Sequence, residues 1–158
     1  MQRKARDNAR TPMQWNAEPQ AGFTTGKPWM RVNDDYPNVN TEVQIANPTP
    51  SPGMLSVHAF WQRALECRKD NKDVFVYGDY EMLDMEDRQV VAYRRWNEKN
   101  AFITIFNLSG EKAVWEKMGD LKVKKWVAGN YDERELEGRA KSGNVELRPW
   151  EAVLGMLE

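Results

Sequence analysis

Cysteine and histidine are almost missing: Cys67 and His58 are the only ones in 158 residues. A single cysteine cannot close an internal disulfide, and it excludes a zinc site built on thiolates. A single histidine excludes a His-rich metal centre, so no metal and no cofactor are expected. Net charge is also lacking. Lys and Arg number 23 against 24 Asp and Glu, leaving −1, which removes the electrostatic drive toward nucleic acid or an anionic membrane. No apolar run is long enough to span a bilayer, "AFITIF" at 101–106 being typical. No cationic segment leads into an apolar one, so no signal peptide is visible and a cytoplasmic location is expected. Glycine-rich phosphate loops and clusters of metal ligands are absent too. The balance left, 41% hydrophobic and 30% charged, is that of a soluble chain with one ordinary core.

Seven tryptophans and eight methionines are many for this length. Tryptophan serves cores, and it also stacks on flat ligands. Residues 1–50 carry Pro12, Pro19, Pro28, Pro37, Pro48 and Pro50 with Gly22 and Gly26. They show no sustained helical or strand period. The stretch reads as one long loop, ordered by Trp15, Phe23 and Trp29, and structureless runs of that length are usually functional or linkers.

A helix is predicted over residues 52–71. Ser51 is placed to cap it with Pro52 at the first position. Val57, Phe60, Trp61, Ala64, Leu65 and Arg68 keep helical spacing, and Arg68 and Lys69 suit its last turn. From Val74 the period becomes two. "VFVYG", "YEMLDMED", "QVVAYRRW", "AFITIFNLS", "KAVWEKMGD", "LKVKKWVAGN" and "NVELRPWEAVLGML" read as seven or eight short strands, the last pair broken at Pro149. The fold class is therefore mainly β, an antiparallel sandwich preceded by a loop and one helix. A lone helix ahead of a sandwich leaves Phe60 and Trp61 wanting a partner.

The stretch "RDNARTPMQW" at residues 6–15 holds Arg6 and Arg10 four apart, with Asp7 beside the first. The guanidinium is a rigid five-donor fork suited to carboxylates and to paired hydroxyls; the plainer reading is that both arginines tie a loop to neighbouring acids. Trp15, Phe23, Trp29 and Tyr36 are suited to sugar faces, or to pinning the loop on a scaffold. His58 and Cys67 read as helix residues without a catalytic partner. Asn107-Leu108-Ser109 matches a glycosylation sequon but reads as a polar cluster ending a strand. No spacing among Asp7, Glu18, Asp34, Asp35 and Glu42 picks out the carboxylate pair that glycoside hydrolysis needs.

"RDNARTPMQW" followed in order by "AGF", "GKPW" and "VN" strongly resembles the α-glucosidase branch of the α-amylase superfamily, glycoside hydrolase family 13. The resemblance runs on through "FWQRALECRKDNKDVFVYGDYEMLD" to the closing "LRPWEAVLGML". It implies a (β/α)8 barrel followed by an antiparallel β domain. Residues 1–73 would then be the last part of the barrel, with an active-site loop at 1–50 and the final barrel helix at 52–71, and 74–158 would be the β domain. It also implies a retaining hydrolysis of terminal α-linked glucose, with catalytic carboxylates on earlier barrel strands and none in this chain. Carried over residue by residue, Arg6 is the group that binds the terminal glucose of a small oligosaccharide, while Asp7 and Arg10 hold the loop behind it. The chain alone is then expected to be inactive.

Three other readings stay open on the same resemblance. The ectodomain of some amino-acid transporter heavy chains retains a "PMQW"-like stretch. A free carbohydrate-binding module would need only the β domain. A sister glucosyl-transfer activity, trehalose or isomaltulose synthesis, is the third, and the residues near the nucleophile that would separate α-1,4 from α-1,6 preference are not in this chain.

Overall fold

The computed structural model describes residues 9–132, 135–136 and 138–158. The chain divides into two compact units, one of Met1–Pro50 with Ser56–Ala59, the other of Ser51–Leu55 with Phe60–Glu158.

Within the first unit, a short helix α1 spans Thr41–Ala46 in the region expected to be loop throughout. Asn40 starts it: its Oδ1 accepts the Val43 N–H at 2.9 Å, and its own amide donates to the Tyr36 carbonyl at 2.8 Å. The signal was an asparagine cap with Glu42 in the first turn, but six residues are too few for a period to stand out.

Helix α2 covers Val57–Asp70 and so begins later than predicted. Ser51 and Met54 instead face each other across a tight turn. Ser56 is the actual cap, its Oγ accepting the Ala59 N–H at 3.2 Å. A second correction falls on "VFVYG", predicted as a strand. Lys72–Phe75 is a single helical turn, α3. Val74 is fully buried and the Phe75 ring lies 4.8 Å from that of Phe102. Four apolar residues in a row fit either period, and burial of Val74 decided for the turn.

The remaining elements are strands, as the alternating pattern predicts. They are β1 (Asp79–Met82), β2 (Val90–Trp96), β3 (Ala101–Asn107), β4 (Ala113–Trp115), β5 (Val123–Gly129), β6 (Val145–Leu147) and β7 (Ala152–Leu157). Five form an antiparallel sheet in the order β1-β2-β3-β7-β5, and β4 pairs with β6 in a second sheet. The polar "NEKN" closes the β2–β3 hairpin: Asn97 Oδ1 accepts the N–H of Lys99 and of Asn100.

The core lies between the two sheets. Val90 and Ala92 of β2, Ile103 and Ile105 of β3, and Val153 and Leu157 of β7 point one way. They meet Ala113 and Trp115 of β4, Val145 and Leu147 of β6, and Met118. Burial alternates residue by residue along β4, β6 and β7, as one-sided packing requires. Gly155 stands opposite Trp126 in the β5–β7 ladder. A Cβ there would lie 2.9 Å from Val123 Cγ1 and 3.1 Å from the Trp126 ring, so the strand needs glycine to admit the indole.

The other face of the large sheet carries Tyr93, Arg95, Thr104 and Leu154, and a groove of about 420 Å³ separates it from Phe60, Ala64, Cys67 and Arg68 of α2. The sheet face is pinned by Arg95, which donates to the carbonyls of Phe75 and Gly78 at 2.7 and 2.8 Å. No residue of α2 is fully buried. Val57, Trp61 and Leu65, four apart, are exposed by 66, 62 and 57%. Of the two residues expected to lack a partner, Trp61 lies on this bare face, whereas Phe60 is half-buried and lines the groove against the sheet.

Candidate substrate loop

Arg6 and Asp7, two of the three predicted site residues, lie outside the described residues. Arg10 is exposed, and among the described residues it forms no ion pair. What the structure does show is the anchor behind it. Pro12 is buried, and the chain from Thr11 to Trp15 runs on without helix or strand.

Gln14 is the hub of that anchor. Its Nε2 donates to Asp35 Oδ1 at 3.1 Å and to the Val39 carbonyl, and its Oε1 accepts from Asn33 Nδ2 at 3.2 Å. Its carbonyl accepts both the backbone N–H and the hydroxyl of Thr41, at 3.0 and 3.2 Å. The Glu42 N–H donates to the Trp15 carbonyl at 3.0 Å. One glutamine thus ties the segment after Arg10 to a second segment, 33–42, about two dozen residues on. An amide suits this place because it donates and accepts at once. Sequence reasoning gave the loop-holding role to Asp7 and Arg10 and did not single out Gln14. The partners of an amide are set by chain folding and leave no mark in spacing.

A strained turn follows. Gln20, Ala21 and Gly22 all take left-handed backbone, with φ of 59, 58 and 64°. That conformation costs a non-glycine residue about 1–2 kcal/mol. It is held because Ala21 is fully buried and its carbonyl accepts the N–H of Trp15 at 2.9 Å and of Asn16 at 3.3 Å. At position 22 a Cβ would stand 2.4 Å from Asn16 Oδ1, so glycine is required for space as well as for φ.

The loop aromatics split. Trp15 and Trp29 are exposed by 51 and 62%, Phe23 by 38%, and Tyr36 is half-buried. His58 is half-buried on α2, its backbone N–H donating to Gln44 Oε1 at 2.9 Å. Burial pushes the Cys67 thiol up from its ordinary range, which disfavours a reactive thiolate. The sequon asparagine is a structural residue. Asn107 is buried, its Nδ2 donates to the carbonyls of Glu111 and Arg148 at 2.6 and 2.9 Å, and its Oδ1 accepts from Ser109.

A charged cluster that sequence reasoning passed over lies in the second unit. Glu151 is 1% exposed and accepts from the Arg148 backbone N–H at 2.7 Å, from Arg148 Nη2 at 2.9 Å, and from Arg139. Burial pushes its carboxyl up, but these hydrogen bonds and the two guanidinium charges outweigh that and leave it below the usual range. Asp84, also buried, is held low first by its 2.9 Å hydrogen bond from Lys117, with the Glu86 and Asp87 N–H groups adding to it. Both clusters are structural ties at loop ends. Among the described residues no three His, Cys, Asp or Glu side chains gather as a metal set, and no helix is long and apolar enough to cross a membrane.

Comparison with known proteins bears on the loop and the β domain together. A family model, Alpha amylase, catalytic domain, matches residues 1–78. An α-glucosidase of Schizosaccharomyces pombe is 36% identical over 154 residues, 96% of this chain and 25% of that protein. A probable oligo-1,6-glucosidase of Bacillus subtilis is 38% identical over 151 residues, 95% of this chain and 26% of that one. The chain thus spans about a quarter of the length of the curated relatives it matches. Among solved structures, an isomaltulose synthase from Erwinia rhapontici superposes with a TM-score of 0.82 at 30% identity, covering 96% of this chain and 26% of that one. A trehalulose synthase superposes equally well at 26% identity. Residues 1–78 thus match the α-amylase catalytic-domain family, and over nearly its whole length the chain is similar to α-glucosidases and oligo-1,6-glucosidases.

Proposed function

We propose that the chain is the C-terminal quarter of an α-glucosidase that removes terminal α-linked glucose from short saccharides. Residues 1–73 are the closing part of its (β/α)8 barrel and 74–158 its C-terminal β domain. The observation that carries this reading is where the catalytic-domain match stops, at residue 78, one residue before β1 opens the sheet at Asp79. The bare apolar stripe of α2 supports it, since a barrel helix packs that side on strands supplied by the rest of the barrel.

In this reading Arg6 binds adjacent hydroxyls of the terminal glucose. Each charge-assisted hydrogen bond in a dry pocket is worth about 1.5–3 kcal/mol. Asp7, Arg10 and the Gln14 anchor set the height of the loop that carries it. Nucleophile, acid/base and stabilising carboxylate belong to the other three quarters. The purified 158-residue chain should therefore release no p-nitrophenol from p-nitrophenyl α-glucoside, and turnover above a blank would refute the assignment. In the complete enzyme, Arg6→Ala should raise KM for maltose at least about tenfold.

The likeness to isomaltulose and trehalulose synthases favours one second reading, glucosyl transfer to a retained sugar instead of to water. Product analysis of the complete enzyme on sucrose separates the two: free glucose and fructose support hydrolysis, and an isomeric disaccharide supports transfer.

A further inference from the structure

Six of the seven tryptophans have places already accounted for. Trp115 is buried in the core, Trp126 donates its indole N–H to the Ala140 carbonyl, and Trp96 lies under the Arg94 guanidinium. Trp15 and Trp61 sit on the loop and helix assigned to the barrel. Trp29 belongs to that loop as well. Trp150 has no such explanation. It joins β6 to β7, is 62% exposed, and its backbone is left-handed at φ 56°. An exposed, bulky residue gains nothing for the fold from a conformation that disfavours it.

The surrounding structure nonetheless over-determines that conformation. The Trp150 N–H donates to the Ser109 carbonyl at 3.0 Å, and its own carbonyl accepts from Asn130 Nδ2 at 2.8 Å. On either side, the Pro149 carbonyl accepts the Tyr131 hydroxyl at 2.7 Å, and the Ala152 N–H donates to Asn130 Oδ1 at 2.9 Å. Beneath them the buried Glu151 locks Arg148, whose guanidinium stacks on Tyr131 at 4.0 Å. The indole Nε1 lies beside Gly110, where even a Cβ would come within 3.7 Å. That indole N–H donates to no group among the described residues. The result is a clamped backbone that presents an exposed indole with a free donor on its edge.

We propose that Trp150 is the platform of a saccharide-binding site on the β domain. A pyranose with its C–H groups on one face lies flat on an indole, and its rim hydroxyls take the free Nε1–H. A pre-set turn costs no backbone ordering on binding, which is what the clamped left-handed turn supplies. The preference for an α-glucosyl oligosaccharide over another flat ligand rests on the proposed α-glucosidase reading. The existence of the platform does not.

Calorimetric titration of the 158-residue chain with maltotriose tests this, with an indole ¹⁵N–¹H spectrum as the local readout. Saturable heat is expected, together with a shift of the Trp150 indole resonance. Trp150→Gly, which suits the positive φ and keeps the turn, should weaken binding at least about tenfold with an unchanged melting temperature. Trp150→Tyr, which keeps a ring, should restore most of it. Absence of binding by the wild-type chain, or binding indifferent to Trp150→Gly, would overturn the site. Binding of cellotriose as tightly as maltotriose would overturn the α-glucosyl preference. None of these outcomes depends on whether the parent enzyme hydrolyses maltose.

Discussion

At the residue scale, buried polar side chains do more than their position in the sequence suggests. Glu151 holds two arginines at the base of the β6–β7 turn. Its folded carboxyl titrates below the unfolded one, so the stabilisation it supplies is complete above the ordinary carboxylate range, about pH 4.3. It is lost as pH falls from there toward the depressed folded value. Glu151→Gln should flatten the acid limb of a melting-temperature profile between pH 5 and 3, an expected window set by that carboxylate range. Glu151→Ala should cost about 3 kcal/mol at neutral pH, because Arg139 and Arg148 lose their shared acceptor. Asn107 makes a parallel case. Removing its side chain orphans the Glu111 and Arg148 carbonyls, and Asn107→Ala should cost about 2 kcal/mol by urea denaturation. Gly155→Ala should also destabilise, by about 1–3 kcal/mol, because the new Cβ would stand 2.9 Å from the buried Val123 side chain and 3.1 Å from the Trp126 ring.

At the scale of elements, strands were legible and short helices were not. β2 and β3 could be read from alternation because one face of each meets the core while the other does not. The turn Lys72–Phe75 and helix α1 are four and six residues long, shorter than the window over which a period can be counted. α2 was read correctly as a helix, but its start was assigned to Ser51 when Ser56 caps it. Both serines satisfy the sequence rule, and only the turn at 51–54 excludes the first. The exposed stripe of α2 carries its own expectation. Trp61→Gln combined with Leu65→Gln should leave the unfolding free energy of the isolated chain within about 0.5 kcal/mol of wild type. It should also lower the fluorescence of a bound hydrophobic dye. A large loss of stability would mean that the stripe is packed in solution.

At the scale of the whole molecule, stability is unevenly distributed. Among the described residues, the buried apolar cluster falls entirely between Val90 and Leu157. Among the described residues of the first unit's loop, the buried apolar side chains are Pro12, Ala21 and Val32. Amide exchange should therefore be slowest in β2, β3 and β7, and far faster in Thr11–Trp15, where hydrogen bonds rather than buried apolar area hold the chain. Slow exchange across 11–15 equal to that of β3 would contradict this.

The sequence by itself carried the likeness to the α-amylase family, through "RDNARTPMQW" and its trailing elements, and the antiparallel β class, through period-two alternation over some eighty residues. Both are local signals that survive without knowledge of partners. Tertiary structure alone decided that Gln14 anchors the loop, that Asn107 is sealed in a hydrogen-bond cluster, and that Trp150 is displayed on a clamped turn. Each of those depends on which carbonyls and amides distant segments bring within three ångströms, and chain spacing carries no record of that.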